Sequence, residues 1–180
     1  MLGDNPKPEL KTFVEQLVAP TVSYTDAVDL YLGSRAVHIR SFPGHTGGDS
    51  VVIVPDAKVV FGGDLVWRNF VPNTVDASTK PWMATLGAFA GTYPDYTFVP
   101  GHGGLATAQD VTAFRDYLAT LQKLVADARA GGKSGDALTQ VVLPTLTKQY
   151  GHWDGFAYLA PLNIAQADAE LSVTKRVPRP

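Results

Sequence analysis

Apolar positions recur at helical spacing at both ends of the chain and at strand spacing between them. Leu10, Phe13, Val14, Leu17 and Val18 fall on one helical face, and Asn5 before Pro6 reads as a cap preceding a first-turn proline. The pattern predicts a helix over Pro6–Val18. Short strand signals follow at Thr21–Thr25, Ala27–Leu32 and Arg35–Phe42, the last after the turn Gly33-Ser34. Ser50–Val54 and Val59–Phe61 read as a hairpin turned by Pro55-Asp56-Ala57. Asn69–Lys80 has no period and is rich in turn formers, so it reads as a long loop. Pro81–Ala90 reads as a short helix, and Tyr96–Val99 as a strand ended by Pro100-Gly101.

From Thr107 the pattern becomes helical throughout. Val111, Phe114, Leu118, Leu121 and Val125 define one face of a helix over Thr107–Ala130, stopped by Gly131-Gly132. Ser134–Tyr150 predicts a second helix, bent or broken near Pro144. Asp154–Ser172 predicts a third, with an irregular start at Pro161, and the tail VPRP should fray. No linker, repeat or low-complexity stretch divides the chain. Its 180 residues read as a single domain whose C-terminal part, 107–172, is helical.

Composition narrows the function classes. Fifteen basic and 17 acidic side chains give a formal charge of −2, with no basic run for nucleic acid or an anionic membrane. No stretch approaches the ~20 apolar residues that span a bilayer. The chain reads as soluble and cytoplasmic by default, or periplasmic if a signal peptide lies upstream. With no cysteine, disulfides, a thiolate nucleophile and a cysteine-based zinc site are excluded.

The candidate chemistry lies in three segments of one design, each an apolar strand ending in a glycine-rich loop. They are FPGHTGGDS with His45, VVFGGDLVW with Asp64 and FVPGHGG with His102. Strand ends hold side chains on one edge of a rigid sheet, and neighbouring glycines leave room for an ion. Imidazole and carboxylate suit zinc. Two of the four histidines lie in such loops with an aspartate between them. Taken singly, each loop reads more readily as a glycine turn or helix cap; together they make a metal site as good a reading as turns.

GHTGGDSVVIVPDAKVVFGGDLVW followed by FVPGHGG resembles the C-terminal half of the metallo-β-lactamase superfamily of zinc hydrolases, over roughly residues 35–105. The resemblance implies an α/β fold: half of an αβ/βα sandwich, one mixed sheet with covering helices. It implies that His45 binds a first Zn2+, that Asp64 bridges two ions and that His102 binds the second. With such an aspartate the sequence resembles the glyoxalase II-like, lactonase-like and phosphodiesterase-like branches rather than the true β-lactamases. The implied reaction is hydrolysis of an ester, lactone, thioester or related bond of a small molecule by a metal-bound hydroxide.

The superfamily's H-x-H-x-D-H segment is absent from this sequence. His38, in RAVHIR, reads as an ordinary strand residue. His152, in YGHWDGF, reads as a loop or cap residue that could line a substrate cleft with Trp153, Trp67 and Phe70; Trp82 reads rather as core. A catalytic zinc takes about three protein ligands, whereas His45, Asp64 and His102 offer two to each ion. The expectation is weak or single-ion occupancy. The opening MLGDNPKPEL runs straight into what resembles the helix between the superfamily's motifs, as in a fragment or a late start codon. The inner sheet face of such a half would be exposed, so the chain is expected to self-associate or to need its N-terminal half. The alternative is a non-catalytic metal-binding or self-associating half-domain.

Overall fold

The computed structural model describes residues 8–176. The expected N-terminal cap at Asn5-Pro6 and the VPRP tail lie outside the described residues. The first helix, α1, spans Pro8–Glu15 and buries none of its residues.

Five strands form one mixed sheet in the order β1-β2-β3-β4-β5. They are β1 (Ala27–Leu32), β2 (Arg35–Ser41), β3 (Ser50–Val54), β4 (Val59–Trp67) and β5 (Thr97–His102). β1 to β4 are joined antiparallel by short turns, whereas β5 lies parallel to β4. A parallel neighbour needs a crossover, and α2 (Thr79–Thr92) supplies it. Three helices follow: α3 (Ala108–Ala130), α4 (Gly135–Tyr150) and α5 (Phe156–Leu171). The mixed sheet with covering helices is the architecture anticipated from the motifs.

The two faces of the sheet have opposite fates. Val51, Ile53, Val60 and Phe98 point into a core shared with α2 and α3, where Trp82, Leu86, Phe89, Phe114 and Leu118 are fully buried. On the other face Val28, Ile39, Val52, Phe61 and Val99 stand opposite one another in register across all five strands. That row is apolar from edge to edge, yet Phe61 is 46% exposed, and Leu30, beyond Val28 on the same face of β1, is 42% exposed. One face of the sheet is thus covered by helices, while the other leaves apolar side chains such as Phe61 accessible.

Several boundaries differ from the sequence pattern. Thr21–Thr25 forms no strand, and β1 is the edge of the sheet among the described residues. β4 does not stop at Phe61 but continues through Gly62-Gly63-Asp64 to Trp67. α4 runs unbroken through Pro144, because Leu138, Val142 and Leu146 are buried along one side of it and offset the lost hydrogen bond. α5 likewise contains Pro161, and begins after Gly155 in the left-handed region rather than at Asp154. Thr107 precedes α3 as a capping box: its hydroxyl accepts from the Asp110 amide while the Asp110 carboxylate accepts from the Thr107 amide.

Candidate metal centre

His45, Asp64 and His102 meet at one edge of the sheet. His45 Nδ1 lies 3.9 Å from Asp64 Oδ2, and His102 Nε2 lies 3.5 Å from Asp64 Oδ1. The aspartate therefore stands between the two imidazoles, one carboxylate oxygen toward each. The His45 side chain is 17% exposed, against 39% for Asp64 and 44% for His102. The group is walled on the His45 side and open on the other.

A disruption of the sheet produces this arrangement. Along the parallel pair Phe61 faces Val99, Gly63 faces Pro100, and Trp67 faces His102, with register shifts on both sides of Gly63. β4 therefore carries surplus residues on both sides of Gly63 against a shorter run of β5, and Asp64, Leu65 and Val66 lie in the second of the two irregular stretches. Bulges of this kind re-aim side chains beside functional sites. Gly63 takes φ +50 there, in the left-handed region that favours glycine. Gly101 is needed for a different reason: a Cβ at that position would overlap Asp64 Oδ1.

Two tryptophans support the bulge. Trp67 Nε1 donates to the Asp64 carbonyl at 2.6 Å, and Trp82 Nε1 donates to the Leu65 carbonyl at 3.0 Å. Their rings also bound the imidazoles. Trp67 stacks on His102 with centroids 3.9 Å apart and 20° between planes. Trp82 meets His45 edge-on at 5.6 Å.

The His45 loop is fixed by residues that the motif reading passed over. Asp49 accepts from the Thr46 amide and hydroxyl, each at 2.7 Å, and its Oδ1 lies 3.9 Å from His45 Nδ1. An Asp three residues after a Thr in a glycine-rich loop is a local sequence signal for such a turn. Ser78 N donates to Gly44 O, and the Thr85 hydroxyl donates to Pro43 O, tying the loop to the start of α2.

Arg68 holds the His102 loop. Its amide donates to His102 O, and its guanidinium Nη1 donates to Leu105 O at 2.8 Å. Its Nε lies 3.1 Å from Asp110 Oδ1 without a well-aligned hydrogen bond, so that contact is chiefly coulombic. Burial pushes the Asp110 carboxyl up, but the Thr107 amide and hydroxyl together with Arg68 outweigh it and leave the group below its ordinary value.

The expected cleft residues divide. Phe70 is half-buried with its ring 5.3 Å from that of His102. Trp67 is only 4% exposed and lies behind His102, supporting it. Trp153 is 7% exposed and packs against Tyr117 and Tyr150 in the core. His152 is exposed, with its ring 6.5 Å from that of Trp153. The backbone of Asp154 bonds to Asn69 and Val71, which brings this turn alongside Phe70. His38 pairs with Asp29 at 2.6 Å on the β1–β2 hairpin, apart from the three loops.

The donor types suit zinc, and the Asp64 carboxylate lies between the two imidazoles. Among the described residues no group of three or more His, Asp or Glu side chains gathers around one ion position.

No protein-family model matches the sequence. Solved structures do. A metallo-β-lactamase from Pontibacter korlensis aligns over 61% of this chain and 54% of its own, at 24% identity and a TM-score of 0.53. VMB-1 aligns over 62% and 52%, at 22% identity and a TM-score of 0.51. The DIM-1 metallo-β-lactamase gives the same coverage at 20% identity and a TM-score of 0.51. The chain thus has the metallo-β-lactamase fold over its matched part and spans about half the length of these structures. No described helix is long and apolar enough to cross a membrane.

Proposed function

We propose that this chain provides one side of the active centre of a metal-dependent hydrolase of the metallo-β-lactamase superfamily. The observation that carries this reading is Asp64 standing between His45 and His102, with one carboxylate oxygen toward each imidazole. A carboxylate so placed is the donor that two neighbouring cations can share. His45 with Asp64 would hold one Zn2+, and Asp64 with His102 the other. Bound ions of this kind supply Lewis-acid polarisation of a carbonyl and a nucleophile at neutral pH.

The chain's own residues then have defined tasks. Asp49 and the α2 contacts fix the His45 loop, Arg68 fixes the His102 loop, and the β4 bulge presents Asp64. The shared aspartate supports a place beside the glyoxalase II-like and lactonase-like branches. Phe70 beside His102 supports a small-molecule ester, lactone or thioester substrate. Two donors per ion fall short of a full catalytic shell, so the working centre takes further donors from outside this set. The apolar face on which Phe61 and Leu30 are exposed supports the same conclusion, because large contiguous apolar patches rarely stay uncovered in monomers. A second sheet, from a longer chain or another copy, would cover it.

Equilibrium dialysis of the purified chain against Zn2+ tests the reading. Weak or single-ion uptake that is abolished by Asp64→Ala is expected. Two tightly held ions per chain would show a complete site and overturn the half-centre; uptake unaffected by Asp64→Ala would overturn the ligand assignment.

A further inference from the structure

Bulged strands carry a cost that the rest of the chain must meet. Residues pushed out of a ladder lose their backbone partners, and a buried carbonyl without a donor costs free energy. In β4 the carbonyls of Asp64 and Leu65 are the ones taken over by indole N–H groups. The two indoles are not equivalent. Trp82 is fully buried and reaches Leu65 from α2, as part of the core. Trp67 lies at the end of β4 itself and touches both flanks of the centre: its N–H bonds to the Asp64 peptide, and its face lies against the His102 ring. Its register partner on β5 is His102 as well.

We propose that Trp67 is the positioning residue that sets Asp64 and His102 relative to each other. The indole N–H fixes the peptide from which the carboxylate projects. The indole face fixes the plane of the imidazole, and so the direction in which Nε2 points at Asp64 Oδ1. One rigid ring thereby couples two side chains from different strands. Partners of this kind, behind the donors, commonly alter metal affinity about 10–100-fold when removed. The consequence for Zn2+ rests on the function proposed above, whereas the geometric coupling does not.

The test uses the full chain without metal. Side-chain NMR signals of His102 are assigned by their loss in His102→Gln. Stacking on an indole is expected to move its ring protons upfield of those of the exposed His152. Trp67→Leu should return them toward the His152 position. Trp67→Phe retains a stacking face and should keep most of the displacement, while the Asp64 carbonyl carbon shifts because its donor is gone. Unchanged far-UV circular dichroism separates this from unfolding. If Trp67→Leu does not fold, the two signals in Trp67→Phe decide the matter alone. Titration with Zn2+ should then show affinity falling about 10–100-fold in Trp67→Leu, and less in Trp67→Phe. Unchanged His102 signals in folded Trp67→Leu, or an unchanged Asp64 carbonyl in Trp67→Phe, would overturn the positioning role. Absence of Zn2+ uptake by the unsubstituted chain would overturn the hydrolase reading instead, and the metal-free spectra would still decide the role of Trp67.

Discussion

Arg68 Nε stands 3.1 Å from Asp110 Oδ1, so the loop that carries His102 is pinned to the first turn of α3. Asp110 serves two purposes there, closing the capping box with Thr107 and facing the guanidinium. Its folded pKa is depressed below the ordinary 3.8. A depressed carboxylate stabilises the fold at pH above its unfolded value, and that stabilisation is lost as pH falls through the folded value. Asp110→Asn should lower stability at neutral pH by about 1 kcal/mol. It should also flatten the acid limb of the stability curve below pH 3.8. Urea unfolding across that range measures both effects.

Asn163, only 1% exposed, uses both ends of its side-chain amide. Its Nδ2 donates to Pro72 O and to the Tyr117 hydroxyl, and its Oδ1 accepts from Thr74. The loop following the centre is thus anchored to α5. Asn163→Ala should leave buried groups unpaired at a cost of about 1–3 kcal/mol, read as a lower urea midpoint with an unchanged slope.

Gly101 tests the approach of β5 to the centre. In Gly101→Ala the new methyl overlaps the Asp64 carboxylate and approaches the Gly63–Asp64 backbone. Over-packing of this kind costs about 1–3 kcal/mol. Zn2+ affinity should fall as well, because Asp64 has to move. Calorimetric titration alongside thermal melting separates the two losses.

Phe61 stands between Val52 and Val99 in the open apolar row. Phe61→Lys should weaken concentration-dependent association in sedimentation velocity and reduce binding of a hydrophobic dye. Stability should change little, because the side chain is already 46% exposed. An unsubstituted chain that sediments as a monomer and binds no dye would contradict the expectation.

The legible parts of the fold were those set by local chemistry. The apolar face from Val111 to Val125, with Thr107 before it and Gly131 after it, marks α3 almost to the residue. The three glycine-rich loops announced the side chains that the structure brings together. The illegible parts depend on partners distant in sequence. Pro144 and Pro161 read as helix breaks, and burial on either side overrides them. The continuation of β4 past Gly62-Gly63 needs β5, more than thirty residues away, to be seen. Trp67 shows why aromatic residues next to a site mislead: its proximity was readable, but the side of His102 on which it lies was not. Arg68 and Asn163 carry no motif, since their importance comes from carbonyls on other segments.

The slipped ladder between β4 and β5 bears on how such a centre can arise and disappear. Six residue steps on β4, from Phe61 to Trp67, lie against three on β5, from Val99 to His102. The candidate site therefore uses spare chain length at one sheet edge, and the same surplus carries Leu65 and Val66 into the core. Shortening β4 there would heal the ladder into plain sheet but would also remove these two buried side chains, 1% and 0% exposed. Gain or loss of the Asp64 side chain at this place is therefore tied to the packing of the core beneath it.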